Sequence, residues 1–284
     1  MKKSAQAAVG AGERPDGEAF QEAKRKARVV LHVAGVTDRE HLVAERIAHA
    51  HNVAIVESEL RGATAHLVRR AGRATILLGH EARRSVAHRN WAIAHELGHH
   101  VLNHPSVAIA DLDRGGGQGG SDRSGPEAEA NAFAAELLMP ATLARRRCEV
   151  SPVSLDATHR LAREFEVPPW VAALRFAELT SERVAAVVCD PLGVRWWTAS
   201  ATFRPWLRVG RAIDRRSQAW QCVTAGATHA QPWLVPAAAW LGATVAGSIV
   251  EHALADPARM GHALALLWIP EVLAKRVRDT SRIK

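Results

Sequence analysis

Apolar positions recur at helical spacing from about Ala19 to His51, with Leu42 and Ile47 among them, and Thr37 or Asp38 stands as an N-cap ahead of Glu40. Three short apolar stretches follow, Val53–Val56, Ala65–Val68 and Ala74–Leu78, punctuated by Gly62 and Gly72; this pattern predicts a small antiparallel meander. The next helix is predicted from around Arg84 to about Asn103, where His104-Pro105 ends it. The stretch from Asp111 to Gly125 is too rich in glycine for regular structure and predicts a flexible loop. Pro126 then stands where helices start, opening a helix over Glu127–Met139 that stops at Pro140. Two more helices are predicted at Leu155–Phe165 and Pro168–Leu179. Beyond Thr180 the texture shifts to β-branched and aromatic runs. Arg183–Cys189 and Val194–Ser200 flank a turn at Asp190-Pro191-Leu192-Gly193, and His262–Ile269 reads as another strand. No internal repeat is visible.

Composition narrows the picture. The chain has 284 residues, 48% hydrophobic and 23% charged, which suffices for a large core. The first residues carry two lysines but reach Gly12-Glu13-Arg14-Pro15-Asp16 without an apolar run, so no secretory leader and no membrane span are expected. Cys148, Cys189 and Cys222 are odd in number and far apart, which fits neither a disulfide framework nor a zinc knuckle and points to a reducing cytoplasm. The net charge of +8 raises nucleic-acid binding, but the basic residues are mostly scattered arginines with short clusters such as Lys24-Arg25-Lys26 and Arg145-Arg146-Arg147. That is the pattern of a solvated surface, and direct DNA contact is a secondary expectation. Seven of the nine tryptophans lie after residue 180; Trp196, Trp197, Trp206 and Trp233 could line a pocket there, core packing being the leading reading.

The chemistry concentrates in His95-Glu96-Leu97-Gly98-His99. Residues four apart on a helix share a face, so His95 and His99 present two imidazoles to one point, and Glu96 stands beside them as a base for an activated water. With 15 histidines in 284 residues, chance supplies roughly 0.05 such pentapeptides. The flanking Trp91-Ala92-Ile93-Ala94 and Val101-Leu102 belong to a buried helix, where histidines need partners. A catalytic zinc needs a third protein ligand. Glu127, Glu129 and Glu136 are available, and Glu127 is selected because it shares a face with Ala130, Asn131, Ala134 and Leu138, whereas Glu129 and Glu136 read as a solvated stripe. Asn131, one turn on, either orients His95 or His99 through the free ring nitrogen or is an ordinary packing amide.

These two segments, Ala94–His99 and Glu127–Pro140, closely resemble the ImmA/IrrE family of gluzincin-like metallopeptidases, over about residues 35–180. The resemblance implies one zinc ion per chain held by His95, His99 and Glu127, with Glu96 as general base. It also implies a cytoplasmic endopeptidase that cuts a helix-turn-helix repressor in a stress or mobile-element response. The expected fold is α+β: a mostly helical zincin-like peptidase domain with a small antiparallel sheet, then a smaller sheet-containing domain. Boundaries are expected at 1–18 for a disordered lead-in, 19–180 for the peptidase and 181–284 for a C-terminal α+β domain, for which a sensory role is one reading. The competing function is a non-enzymatic zinc-containing regulator acting by protein or ligand binding. The chain has no tyrosine, so the oxyanion-stabilising phenol of related peptidases is missing; His100, His104 or a loop arginine are the substitutes on offer.

Overall fold

The computed structural model describes residues 17–60, 64–105, 125–229, 231–256 and 260–279; the lead-in through residue 16 and the glycine-rich stretch lie outside the described residues. Helix α1, Glu18–Val33, buries Ala23, Ala27, Val30 and Leu31, a single face at the spacing of 3.6 residues per turn. Asp38, rather than Thr37, is the cap: its side chain accepts from the backbone N–H of Glu40 and His41. It caps only the 3₁₀ turn Arg39–His41, and α2 follows at Ala44–Ala50.

Strands β1 (Val53–Glu57), β2 (Ala65–Arg70) and β3 (Arg73–Leu78) form the first sheet. It is mixed, not an antiparallel meander: β2 and β3 make an antiparallel hairpin, but β1 lies parallel to β3 on its other side. The hairpin closes through Ala71-Gly72, both at positive φ (50° and 75°), the turn geometry that matches strand twist. The central place goes to β3 because its alternate residues Ala74, Ile76 and Leu78 are the buried ones. Helix α3, Val86–Val101, is capped by Ser85, whose hydroxyl accepts from the His88 N–H. Helix α4 spans Pro126–Leu138, with α5 (Ala141–Ala144), α6 (Leu155–Glu164) and α7 (Pro169–Leu179) behind it.

The remaining chain adds β4 (Val184–Asp190), β5 (Gly193–Ala199), α8 (Gln218–Ala225), β6 (Trp233–Pro236), α9 (Ala237–Leu241) and β7 (Val245–Ala246). Then come β8 (Ser248–Ala255), β9 (Ala263–Trp268), α10 (Glu271–Ala274) and β10 (Arg278–Asp279), which pairs with β7. Five strands form an antiparallel sheet in the order β5-β4-β9-β8-β6. Period-two alternation divides it between two cores. Val184, Ala186, Leu264 and Leu266 pack with Leu161, Phe165, Val171 and Phe176 of the helical part. Ala185, Val187, Ala265 and Leu267 pack with Trp197, Phe203, Cys222 and Trp240 on the other face. Both faces being covered accounts for the nearly unbroken apolar sequences of β4 and β9. The α+β architecture is thus as the sequence predicts. Of the four tryptophans considered for a pocket, Trp197 is core at 3% exposure, while Trp206 and Trp233 remain 42% and 62% exposed.

Two polar groups inside this sheet are structural. Glu251 accepts from the Ala219 N–H (2.8 Å) and the Trp240 indole (3.0 Å), tying α8 to β8. His252, almost fully buried, accepts the Leu155 N–H at Nδ1 (3.0 Å), so β8 satisfies the first turn of α6.

The C-terminal half of α4 is fastened by a buried ion pair that the sequence reading places wrongly on a solvated stripe. Glu136 is 2% exposed and receives Arg175 Nη2 at 2.8 Å; Arg175, also 2% exposed, donates further to the Met139 carbonyl and to Glu178. Removing one member leaves the others charged and buried, so Arg175→Leu is expected to lower unfolding stability by about 3 kcal/mol, measurable by denaturant titration. A loss under about 0.5 kcal/mol would show that the carboxylates find water instead.

Candidate metal centre

The site forms where α3 crosses α4. The crossing is tight because Gly98 faces Ala130: a β-carbon on Gly98 would stand 3.2 Å from both Ala130 Cα and its carbonyl oxygen, and 3.1 Å from the Phe133 ring. The Gly98 position inside the motif is therefore a packing requirement, and it lets a side chain from α4 reach the imidazoles of α3.

That side chain is Glu127. Its Oε2 lies 3.3 Å from His95 Nε2 and its Oε1 3.3 Å from His99 Nε2, while the two Nε2 atoms are 3.0 Å apart. The three residues form a group able to hold a metal ion, their donor atoms all within 4.8 Å of one another. Bonds of about 2.0–2.1 Å to a tetrahedral ion place ligand atoms roughly 3.3 Å apart, so the spacing suits zinc. Chemistry agrees: two imidazole nitrogens and a carboxylate facing one another need a cation among them, a metal ion or a proton on one ring. Glu127 is in the first turn of α4 and 54% exposed, against 17% for His95 and 14% for His99, so the group is open to solvent on its carboxylate side.

Electrostatics record the same need. Glu127 titrates well below the usual carboxylate range because His95 and His99 hydrogen-bond to it, against the effect of burial. Burial alone would lower the His95 pKa, but the Glu127 hydrogen bond and the charges of Glu96 and Glu127 outweigh it, and the value is raised. Glu96, next along α3 and half-buried, is thus close enough to act on His95 electrostatically.

Behind each imidazole stands an acceptor. Asn131 Oδ1 is 3.0 Å from His95 Nδ1, which distinguishes between the two rings considered for it. His99 Nδ1 meets His104 Nδ1 at 3.0 Å, and His104 Nε2 meets Glu129 Oε2 at 3.2 Å. Glu129 therefore belongs to the site and not to a solvated stripe. His104 is turned behind His99 and is no candidate for oxyanion contact. The His100 ring is on another side of α3, where Arg69 and His51 are its charged neighbours; the loop arginines lie outside the described residues. On the side of His95, Trp91 packs edge-on against Trp170 at 4.7 Å between centroids, and Trp170 in turn against Trp196 of β5 at 6.1 Å.

Comparison with known proteins accords with this geometry. Residues 48–177 match the peptidase family model described as the IrrE N-terminal-like domain. That segment, which spans both α3 and α4, is where the chain resembles the ImmA/IrrE peptidases. A Mycobacterium tuberculosis transcriptional regulator of solved structure shares the fold, with a TM-score of 0.51 at 15% sequence identity over 88% of this chain and 76% of that one. No curated protein matches the chain. Among the described residues, no helix is long and apolar enough to cross a membrane.

The ion pairing predicts a pH response of the metal-free protein. A raised His95 pKa gives stability that is complete below the ordinary 6.5 and is lost as pH climbs through the folded value; the lowered Glu127 pKa gives stability present above 4.5 and lost as pH falls. The pair therefore stabilises most between 4.5 and 6.5. Histidine NMR titration of Glu127→Gln should show the His95 pKa dropping relative to wild type; an unchanged value would disprove the coupling.

Proposed function

We propose that the chain is a zinc-dependent endopeptidase that cuts a helix-turn-helix repressor at a single linker, in a cytoplasmic stress or mobile-element response. The observation that carries this reading is the convergence of His95, His99 and Glu127 at ligand spacing with a carboxylate, Glu96, beside them and an open side toward solvent. In this reading His95, His99 and Glu127 hold one zinc ion, which when bound supplies Lewis acidity toward water and the scissile carbonyl. Glu96 takes the proton from the attacking water and returns it to the departing amine nitrogen. Asn131 Oδ1 accepts a hydrogen bond from His95 Nδ1–H and so keeps the lone pair of Nε2 directed at the ion. The site needs no protein nucleophile, and the buried cysteines, whose thiols burial pushes up to about 12 at Cys148 and Cys222, take no part.

The family likeness of residues 48–177 supports the substrate class: a peptidase resembling this family is expected to act on a protein regulator, with the 181–284 segment as the part through which a signal is received. A second reading, a zinc-containing regulator that acts by binding alone, draws on the likeness in fold to a protein described as a transcriptional regulator. One experiment divides them. With candidate repressors co-expressed, wild type should give a discrete metal-dependent cleavage product, and Glu96→Gln should keep its zinc while losing at least about 10²-fold in rate. Cleavage by Glu96→Gln at the wild-type rate rejects the mechanism, and zinc-loaded wild type that binds a repressor intact favours the binding reading.

A further inference from the structure

We propose that His104 is a positioning residue for His99, and that Glu129 holds His104 in turn; this rests on the metal-binding reading above. The device is the end of α3. Asn103 takes the left-handed conformation (φ 57°), the His104 N–H bonds to the His99 carbonyl at 3.0 Å and the Asn103 N–H to the His100 carbonyl at 3.1 Å. This is a Schellman cap, in which the residue after the left-handed one packs back against the helix residue five positions earlier. An apolar pair usually fills those two places; here they are His104 and His99, with ring centroids 5.0 Å apart and planes at 74°. Arg69 of β2 fixes the turn from outside, donating to the carbonyls of His99 and His104, each at 2.7 Å.

The proton positions then follow by elimination. If His99 gives the lone pair of Nε2 to the ion, its Nδ1 carries hydrogen and donates to His104 Nδ1. His104 must then carry its hydrogen on Nε2, which donates to Glu129 Oε2 at 3.2 Å. The carboxylate thus fixes the tautomer of His104, and His104 fixes the tautomer and ring plane of His99, as Asn131 does for His95. Buried at 7% exposure, His104 has no room to reorient toward water. Two residues of α4 serve the same ion by different routes: Glu127 directly, Glu129 through two rings.

The test is the Zn²⁺ affinity of the full-length protein, measured by competition with a chromophoric chelator, alongside the melting temperature of the metal-free form. Wild type should bind and His99→Ala should not; equal, weak binding by both would overturn the metal reading and this inference with it. Given tight wild-type binding, His104→Phe should weaken it about 10- to 100-fold. His104→Gln, which keeps an oxygen acceptor for His99, should recover part of that loss. Glu129→Gln should weaken binding in the wild-type background and have no further effect in His104→Phe, because it acts through that ring. A folded His104→Phe with wild-type affinity overturns the proposal. So does a Glu129→Gln loss that persists in full without His104, or variants that lower only the metal-free melting temperature. Should His104→Phe fail to fold, His104→Gln and Glu129→Gln alone decide it: unchanged affinity in both overturns the proposal.

Discussion

The tight crossing of α3 over α4 is the constraint from which the site follows. Gly98 has no β-carbon and Ala130 has only one, so the two backbones meet where larger residues would hold them apart. A glutamate side chain is short, and at a wider separation Glu127 could not lie 3.3 Å from both imidazoles. The far end of α4 is held by Arg175 and Glu136, so the helix is fixed at its C-terminal half while its first turn carries both Glu127 and Glu129. Positioning and chemistry are divided along one helix.

Placing carboxylates among histidines has an electrostatic cost that the fold meets locally. Glu127 is held ionised by the two rings it faces, and Asn131 and His104 each stand behind one ring. The neighbours of these rings thus hold them and the carboxylate at ligand spacing, which is the meaning of preorganisation at such a site.

Much of this was legible in the sequence. The helix bearing His95 and His99, the helix opening at Pro126 and the hairpin around Asp190–Gly193 follow from periodicity and from turn residues. Selecting Glu127 from the small residues on its face leads to the carboxylate that meets the imidazoles. What was not legible depends on tertiary partners. Glu129 and Glu136, seven residues apart, looked like one exposed row, yet one meets His104 and the other Arg175, neither of which a helical wheel can see. The parallel placement of β1 depends on which strand takes the buried centre, and three apolar runs in a row do not encode that choice. Strand β8 escaped because Glu251 and His252 interrupt its apolar pattern, each buried only because α8, Trp240 and Leu155 satisfy it. The spacing of His99 and His104 with Asn103 before the second is a readable signal of a helix cap as well as of a helix end.

The sheet between the two cores has a consequence for how the chain can be divided. Val184, Ala186, Leu264 and Leu266 are the cover over the inner side of α6 and α7, and Trp196 continues the ring contacts that run through Trp170 to Trp91. The family match stops at residue 177, but the apolar wall that seals its last helices is contributed by strands from beyond that point. A fragment ending there would lack that wall and leave the inner faces of α6 and α7 bare to water, a sticky surface where the whole chain has a core.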